Sequence, residues 1–388
     1  PEMWAYGSKG SGGHMVGRII PKRDTLWDQE EAQAYDRNPI GAGLIKLVEH
    51  RQGESMTFER FEDYYHQPAN GFPTDHRLQV NQYKVVAAPD ASTRIAALRA
   101  GEVDFGRVSF DAASQIEAGG GRMIYSPQVL AFEVQQWGCF NPQVPCYDKR
   151  VRQAMTYAID KELIRDELYG GTDVMHVKGW SVVGPSTIGY SPALDPFPYD
   201  PEKARQLLSD AGYPGGEGFG TYIINVPLGS LPLKSESGQL VGEMLRENLG
   251  LDVEVKVWDG GVHWNNLKSD PRSYDGQLMW TENDGRTDAS GSMKFWYLNY
   301  QDRMDSPPLQ AMHNDPELER LGQYALTQIG QETEQEAFSA WYRALYDEQY
   351  NMAIGHINDP WGVGPRVATW VPWAASEHLS ALHTITLK

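Results

Sequence analysis

The stretch "YDPEKARQLLSDAGYP", residues 199–214, holds a complete set of helix punctuation. Asp200 offers a carboxylate to free N–H groups, and Pro201 occupies the first helical position, where no N–H is missed. Gly212 supplies a left-handed stop, and Pro214 forbids continuation. Ala204, Leu207, Leu208 and Ala211 fall on one side, which must be buried against something larger. Nothing here is equipped to bind or to cut. The stretch describes a scaffold, and the question moves to its neighbours.

Downstream, "TYIINVP" (221–227) reads as a strand and "GQLVGEMLRENLG" (238–250) as a helix with Val241, Met244 and Leu245 on one face. "LDVEVKVW" (251–258) follows as a strand alternating Val253, Val255 and Val257. That order implies a right-handed crossover in a sheet covered by helices. Upstream, "YDKRVRQAMTYAIDKELIRDELYGG" (147–171) predicts one amphipathic helix, capped by Asp148 and closed by Gly170 and Gly171. Val151, Met155, Ala158, Ile159 and Leu163 form its stripe. Residues 83–106 predict strand, helix and strand, with Asp90 as cap, Ile95 and Leu98 inward and Gly101 as stop. Asp315 and Pro316 repeat the cap-and-proline device, and "TEQE" (333–336) predicts a capping box for a helix carrying Phe338, Trp341 and Leu345. "IGHINDPWGVGPRVATWVPW" (354–373) predicts short strand pieces broken by proline and glycine. The whole reads as α/β with mixed sheets and two lobes.

With 388 residues the chain is long enough for two or three domains at about 150 residues each. Hydrophobic residues make up 40% and charged residues 22%, as in a globular protein, and no apolar run nears the ~20 residues that cross a bilayer. A net charge of −18 repels phosphate backbones, so nucleic acid is not the expected partner. The chain begins at Pro1 without a basic n-region or an apolar h-region, the expectation for a segment of a longer gene product. Cys139 and Cys146 flank a turn-forming loop, "WGCFNPQVPCYD", open to a disulfide or to two free thiols; zinc would want further ligands at finger spacing.

Motifs of catalysis are sparse. "NPIGAGLIKLV" (38–48) has G-x-G but no third glycine and no following helix, so it reads as a turn before a strand. "GPSTIG" lacks the spacing of a nucleophile elbow. His263, beside Trp264 in "GGVHWNNL", is the suggestive histidine among ten scattered ones. The richest stretch is "QLMWTENDGRTDASGSMKFWYLNY" (277–300), where a strand runs through Trp280 into a polar loop and an aromatic cluster. Trp280 offers a flat face and Glu282, Asn283 and Asp284 offer hydrogen bonds, a mixture that suits a pocket wall as well as an ordinary loop. Glu282 and Asp284 are also the candidate pair for glycoside hydrolysis.

Six phrases in order resemble the family 5 extracellular solute-binding proteins of ABC transporters, the oligopeptide- and dipeptide-binding class. They are "NPIGAGLIKLVEHRQGESMTFERFEDYY", "STRIAALRAGEVDF", "CYDKRVRQAMTYAIDKELI", "YDPEKARQLLSDAGYP", "ENLGLDVEVKVWD" and "YRALYDEQYNMAIGHI". Ala42, Leu44 and Ile45 stand where the family usually has Thr, Pro and Tyr. The resemblance implies a two-lobed periplasmic binding protein, type II-like, with the first lobe incomplete: residues 1–132 with 366–388 in a partial lobe and 133–365 in a complete second lobe. It implies a monomer without cofactor or metal, periplasmic or extracellular, with a lipid anchor as one mode of attachment. Its partners would be a small peptide and the membrane permease subunits.

In the family's peptide binders an aspartate after the pocket tryptophan meets the ligand ammonium. Counting from Trp280 puts Asn283 there, and counting from Asp275 puts Asp284 there. With Asn283, neutral ligands such as oligosaccharides gain. Opine or nickel-chelate binding on the same scaffold, a sensory domain, and the hydrolase are the alternatives.

Overall fold

The structure, a computed structural model, describes residues 29–88, 90–136, 139, 141–172, 174–178, 187–191, 194–228, 233–284, 315–371 and 382–388. Helix α1 (Gln29–Arg37) precedes three antiparallel strands, β1 (Ile45–Arg51), β2 (Ser55–Arg60) and β3 (Gln82–Val86), which form one sheet in that order. Then come α2 (Ala91–Ala100), β4 (Phe105–Arg107), α3 (Ala113–Ala118) and β5 (Arg122–Gln136). Helices α4 (Lys149–Tyr157) and α5 (Lys161–Leu168), strand β6 (Met175–His176) and helix α6 (Pro201–Asp210) follow. Next are β7 (Thr221–Pro227), α7 (Lys234–Leu249), β8 (Asp252–Trp258), α8 (Gly260–Ser269) and β9 (Leu278–Asp284). The last are α9 (Pro316–Thr327), α10 (Glu334–Glu348), β10 (Asn351–Val363), β11 (Val367–Thr369) and β12 (Thr386–Leu387).

The large sheet has the order β4-β10-β5-β9-β7-β8, with β6 also paired to β10. Strands β8, β7 and β9 are parallel neighbours, while β9–β5, β5–β10, β10–β4 and β10–β6 are antiparallel. The sheet is therefore mixed, and β7–α7–β8 is the strand–helix–strand unit expected from sequence. The caps are made as read. Asp200 Oδ1 accepts from Lys203 N at 3.0 Å, Asp90 Oδ1 from Thr93 N at 2.9 Å, and Asp315 Oδ1 from Glu317 N at 2.9 Å.

Three local readings are corrected. Residues 147–171 form two helices, because the Asp160 carboxylate accepts from Leu163 N at 2.9 Å and starts α5 afresh; Leu163 consequently turns outward. No capping box forms at 333–336. Thr333 Oγ1 donates to Gln328 Oε1, and Glu334 reaches back to Gly330 N at 3.0 Å. The first half of the stretch from 354 lies in β10, a strand of 13 residues, and one short piece, β11, follows as expected. The β10 glycines are packing sites and make no turns: a Cβ on Gly355 would come within 2.5 Å of Met175 Cε, and one on Gly362 within 2.9 Å of Leu98 Cδ1.

Among the described residues the core falls into three apolar clusters. The largest includes Met155, Leu208, Leu245, Trp341 and Ile357; a second gathers Leu78, Trp361, Val363, Trp370, Leu382 and Ile385; a third holds Ile95, Leu98, Val108 and Ile116. Strand β10 belongs to two of them, through Met352, Ile354 and Ile357 at one end and Trp361 and Val363 at the other. Its ladder with β5 is interrupted between those ends. Residues 351–357 pair with 130–135, with a shift between Ala353 and Gly355, and residues 359–363 pair with 122–126 after a second shift between Ile357 and Asp359.

Cys139 and Cys146 are joined, with Cα atoms 5.1 Å apart. The loop they close rests on Arg152, which is 2% exposed. Arg152 Nη1 donates to the carbonyls of Cys146 and Tyr147, both at 2.9 Å. Its Nε reaches Glu348 O at 2.7 Å, its Nη2 reaches Glu348 Oε2 at 2.6 Å, and its guanidinium lies 4.2 Å from the Tyr350 ring centroid. A single cation thus ties α4, the disulfide loop and the last turn of α10 together.

Candidate functional site

In open sheets with parallel strands, ligands gather outside the carboxyl ends. Here those ends belong to β9, β7 and β8, side by side, and they finish at Asp284, Pro227 and Trp258. Leu228 N donates to Trp258 O at 2.9 Å, which carries the β7–β8 ladder one residue beyond β7. Asp259 then caps α8, its Oδ1 accepting from Val262 N at 3.0 Å. The amino end of α8 therefore lies at this edge, and its dipole favours electronegative groups there.

The residues expected from sequence are distributed unevenly around that edge. Trp280 is fully buried in the largest cluster, flanked along β9 by Leu278, Met279 and Thr281, all buried. It offers no open face to a solute, because β9 is a central strand covered on both sides. His263 is fully buried as well. Its ring meets Trp264 and Tyr274 edge-on at 5.7 and 5.2 Å, and its Nε2 lies 3.3 Å from Met279 Sδ. Burial first and the Lys234 ammonium second push its pKa down to about 4, so it is a neutral core imidazole at physiological pH. Trp264 is half-buried against the same core. Glu282, Asn283 and Asp284 are placed by backbone, opposite Phe132, Ala131 and Leu130 of β5. Their side chains, and the stretch 285–300 with its aromatic cluster, lie outside the described residues.

Two polar groupings were not anticipated. Asn225, 1% exposed in the middle of β7, accepts from Trp258 Nε1 at 2.9 Å and donates to Gln277 Oε1 at 2.8 Å. This network opens into a cleft of about 380 Å³ lined also by Lys256, Asp270 and Tyr274. An amide inside the apolar run "TYIINVP" was the available cue. The second grouping lies at the break in β10. His356, buried, pairs across the ladder with His176; Asn358 N donates to Val174 O at 2.8 Å, and Asn358 Nδ2 lies 3.4 Å from His176 Nε2. Hydrogen bonds and aromatic contact are what these groups can give a solute. Among the described residues no group of three or more His, Cys, Asp or Glu is arranged to hold a metal ion.

A sequence model of the bacterial extracellular solute-binding proteins, family 5 (middle region), matches residues 15–304. The chain belongs to this family. The oligopeptide-binding protein AppA of Bacillus subtilis is 28% identical over 278 residues, covering 69% of this chain and 47% of its own length. The dipeptide-binding protein of Escherichia coli is 22% identical over 369 residues, covering 87% of this chain and 62% of its own. The chain thus spans about half to three fifths of the length of these curated relatives. Among solved structures, the ABC transporter substrate binding protein CtaP of Listeria monocytogenes superposes with a TM-score of 0.76 at 19% identity, over 95% of this chain and 71% of that one. The fold of this family-5 member is that of the two-lobed periplasmic binding proteins, as the sequence implies. Among the described residues no helix is long and apolar enough to cross a membrane.

Proposed function

We propose that this family-5 chain is the solute-capturing component of an ABC importer, holding peptides in a cleft between two lobes and delivering them unaltered to a membrane permease. The observation that supports this most is the β5–β10 ribbon. It runs between separate apolar clusters, and its ladder is interrupted midway, at 126–130 on β5 and 357–359 on β10. A ribbon with a break between two packed bodies is a hinge geometry. We take the break as the flexing point, a few residues before the lobe boundaries at 132 and 366 expected from sequence.

Closure then needs only a solute that binds the closed form more tightly than the open one; no bond is made or cut. The carboxyl ends of β7, β8 and β9 form the second lobe's wall. Peptide cargo is supported by the names of the oligopeptide- and dipeptide-binding relatives. Alternation along β9 sets positions 283 and 284 on opposite faces, and Asp284 is the one able to give a ligand ammonium a charge-assisted bond. The protein would act outside the cytoplasmic membrane, as a monomer, free or lipid-anchored.

The test is titration with a library of short peptides and, separately, with cello- and xylo-oligosaccharides, following thermal midpoint and product. A ligand at 100 times its Kd stabilises by about 2.7 kcal/mol, well above detection. Peptides should raise the midpoint without being changed, and Asp284→Asn should weaken them by about 10-fold or more. Product formation would sink the reading, and stabilisation by saccharides alone would reassign the cargo.

A further inference from the structure

The β2–β3 connection and the last residues of the chain meet through three histidine rings. His66 and His76 stack with centroids 3.7 Å apart and planes at 15°, and His76 stacks on His383 at 4.2 Å and 21°. Phe72 extends the column beyond His66, at 4.4 Å and 28°. All three imidazoles are half-buried. Thr74 Oγ1 lies 3.2 Å from His66 Nε2 and 3.1 Å from His76 Nε2. A hydroxyl has one proton to give and lone pairs to receive, so it serves one accepting and one donating ring nitrogen, the needs of two neutral imidazoles. Near-parallel rings also hold their in-plane lone pairs side by side instead of converging, which does not suit a shared metal ion.

Of the charges around the column, the Asp75 carboxylate attracts the His76 ring when that ring is charged, but its main partner is Arg77. Asp75, next to His76, is committed to Arg77, with Nη2 at 2.7 Å from Oδ2, and Glu62 lies 3.9 Å from Arg77 Nη1. Tyr65 faces His66 at 6.4 Å. Among the described residues 382–388, His383 is the titratable group stacked on the column. Burial first, then His76 and His66, hold its pKa below the usual imidazole range.

We propose that this column is an acid-released clasp: neutral rings fasten residues 61–81 to the C-terminal segment, and protonation of adjacent rings drives the two apart. Within the closed column His383 binds a proton less readily than a free imidazole does. Its contribution is therefore full above the free-imidazole range and is lost as pH falls through the lowered one. The clasp sits on the cluster that contains Leu78, Trp361, Trp370, Leu382 and Ile385, so its opening loosens the core at the far end of β10. The inference rests on this column alone and is independent of the transport reading.

Amide exchange of the full chain, corrected for intrinsic rates, tests it at about pH 7.5 and about pH 5. Protection across 61–81 and 382–388 should fall about tenfold or more at the lower pH, since each unit of pKa difference is tenfold. Protection across 201–227 should stay. His76→Phe keeps a ring in the column without its charge and should abolish most of the fall; His383→Phe should do so in part. Unchanged protection in the wild type at about pH 5, or an undiminished fall in both variants, overturns the proposal.

Discussion

Helix α6 and strand β10 contrast in how their residues act. In α6 each marked residue works on its immediate neighbours: Asp200 holds Lys203 N, Pro201 starts the turn, and Ala204 and Leu208 are buried where a period of 3.6 puts them. In β10 the marked residues work on distant ones. Gly355 makes room for Met175 and His176, Gly362 for Leu98 and Ile116, and Pro360 accepts from Val108 N through its carbonyl. The same letters that signal a break in isolation here permit a long strand to pass between crowded bodies. Glycine's meaning is set by what approaches it, and that is not written beside it.

The strongest test of this contrast is Arg152. It lies in α4, a helix whose start is locally legible, yet it is fixed by Glu348, 196 residues away. Arg152→Leu should cost about 3–5 kcal/mol in urea unfolding, because the carbonyls of Cys146, Tyr147 and Glu348 lose their donor and the Glu348 carboxylate keeps only Lys149 Nζ, at 2.8 Å. Replacing both ends, with Arg152→Leu and Glu348→Gln together, should recover part of that. A cost below about 1 kcal/mol would mean that α4 obeys local rules after all.

A sharper comparison uses two glycines on paired strands. Gly355→Ala should destabilise by about 1–3 kcal/mol, because the added Cβ would lie 3.0 Å from the backbone oxygen of His176, which cannot swing aside as the Met175 methyl can. Gly106→Ala on β4, where nothing lies within 4 Å of an added Cβ, should be neutral or stabilising by less than about 1 kcal/mol. Equal costs at both sites would remove packing as the reason β10 needs its glycines. Denaturant midpoints at constant slope suffice to decide.

The same division explains what the sequence discloses about fold and site. Elements with caps and periodic apolar faces, α2, α6, α9 and the β7–α7–β8 unit, are legible because every determinant lies within a turn or two. The break at Asp160 is hidden because apolar letters continue at helical spacing as far as Leu163, whereas α5 buries Ile164 and turns Leu163 outward. At the site, Trp280 and His263 have the chemistry of a binding wall, but their burial depends on strand order: β9 lies between β5 and β7, and a central strand gives its aromatics to the core. Asn225 was the more informative residue. A planar amide within an apolar strand must find partners, and Trp258 and Gln277 are those partners.

The smallest predicted effect closes the contrast from the local side. Asp200→Ala removes the carboxylate that accepts from Lys203 N and leaves that N–H to water, at a cost of about 1 kcal/mol. The backbone hydrogen bond from Asp200 N to Tyr157 O, at 2.9 Å, needs no side chain and survives. Asp200→Asn keeps an acceptor in the same place and should stay within about 0.5 kcal/mol of the wild type, since both residues cap well. Unfolding in urea at matched slope separates the three proteins. If the alanine variant instead costs as much as Arg152→Leu, Asp200 holds more than its own first turn, and the helix most readable from sequence is also held from a distance.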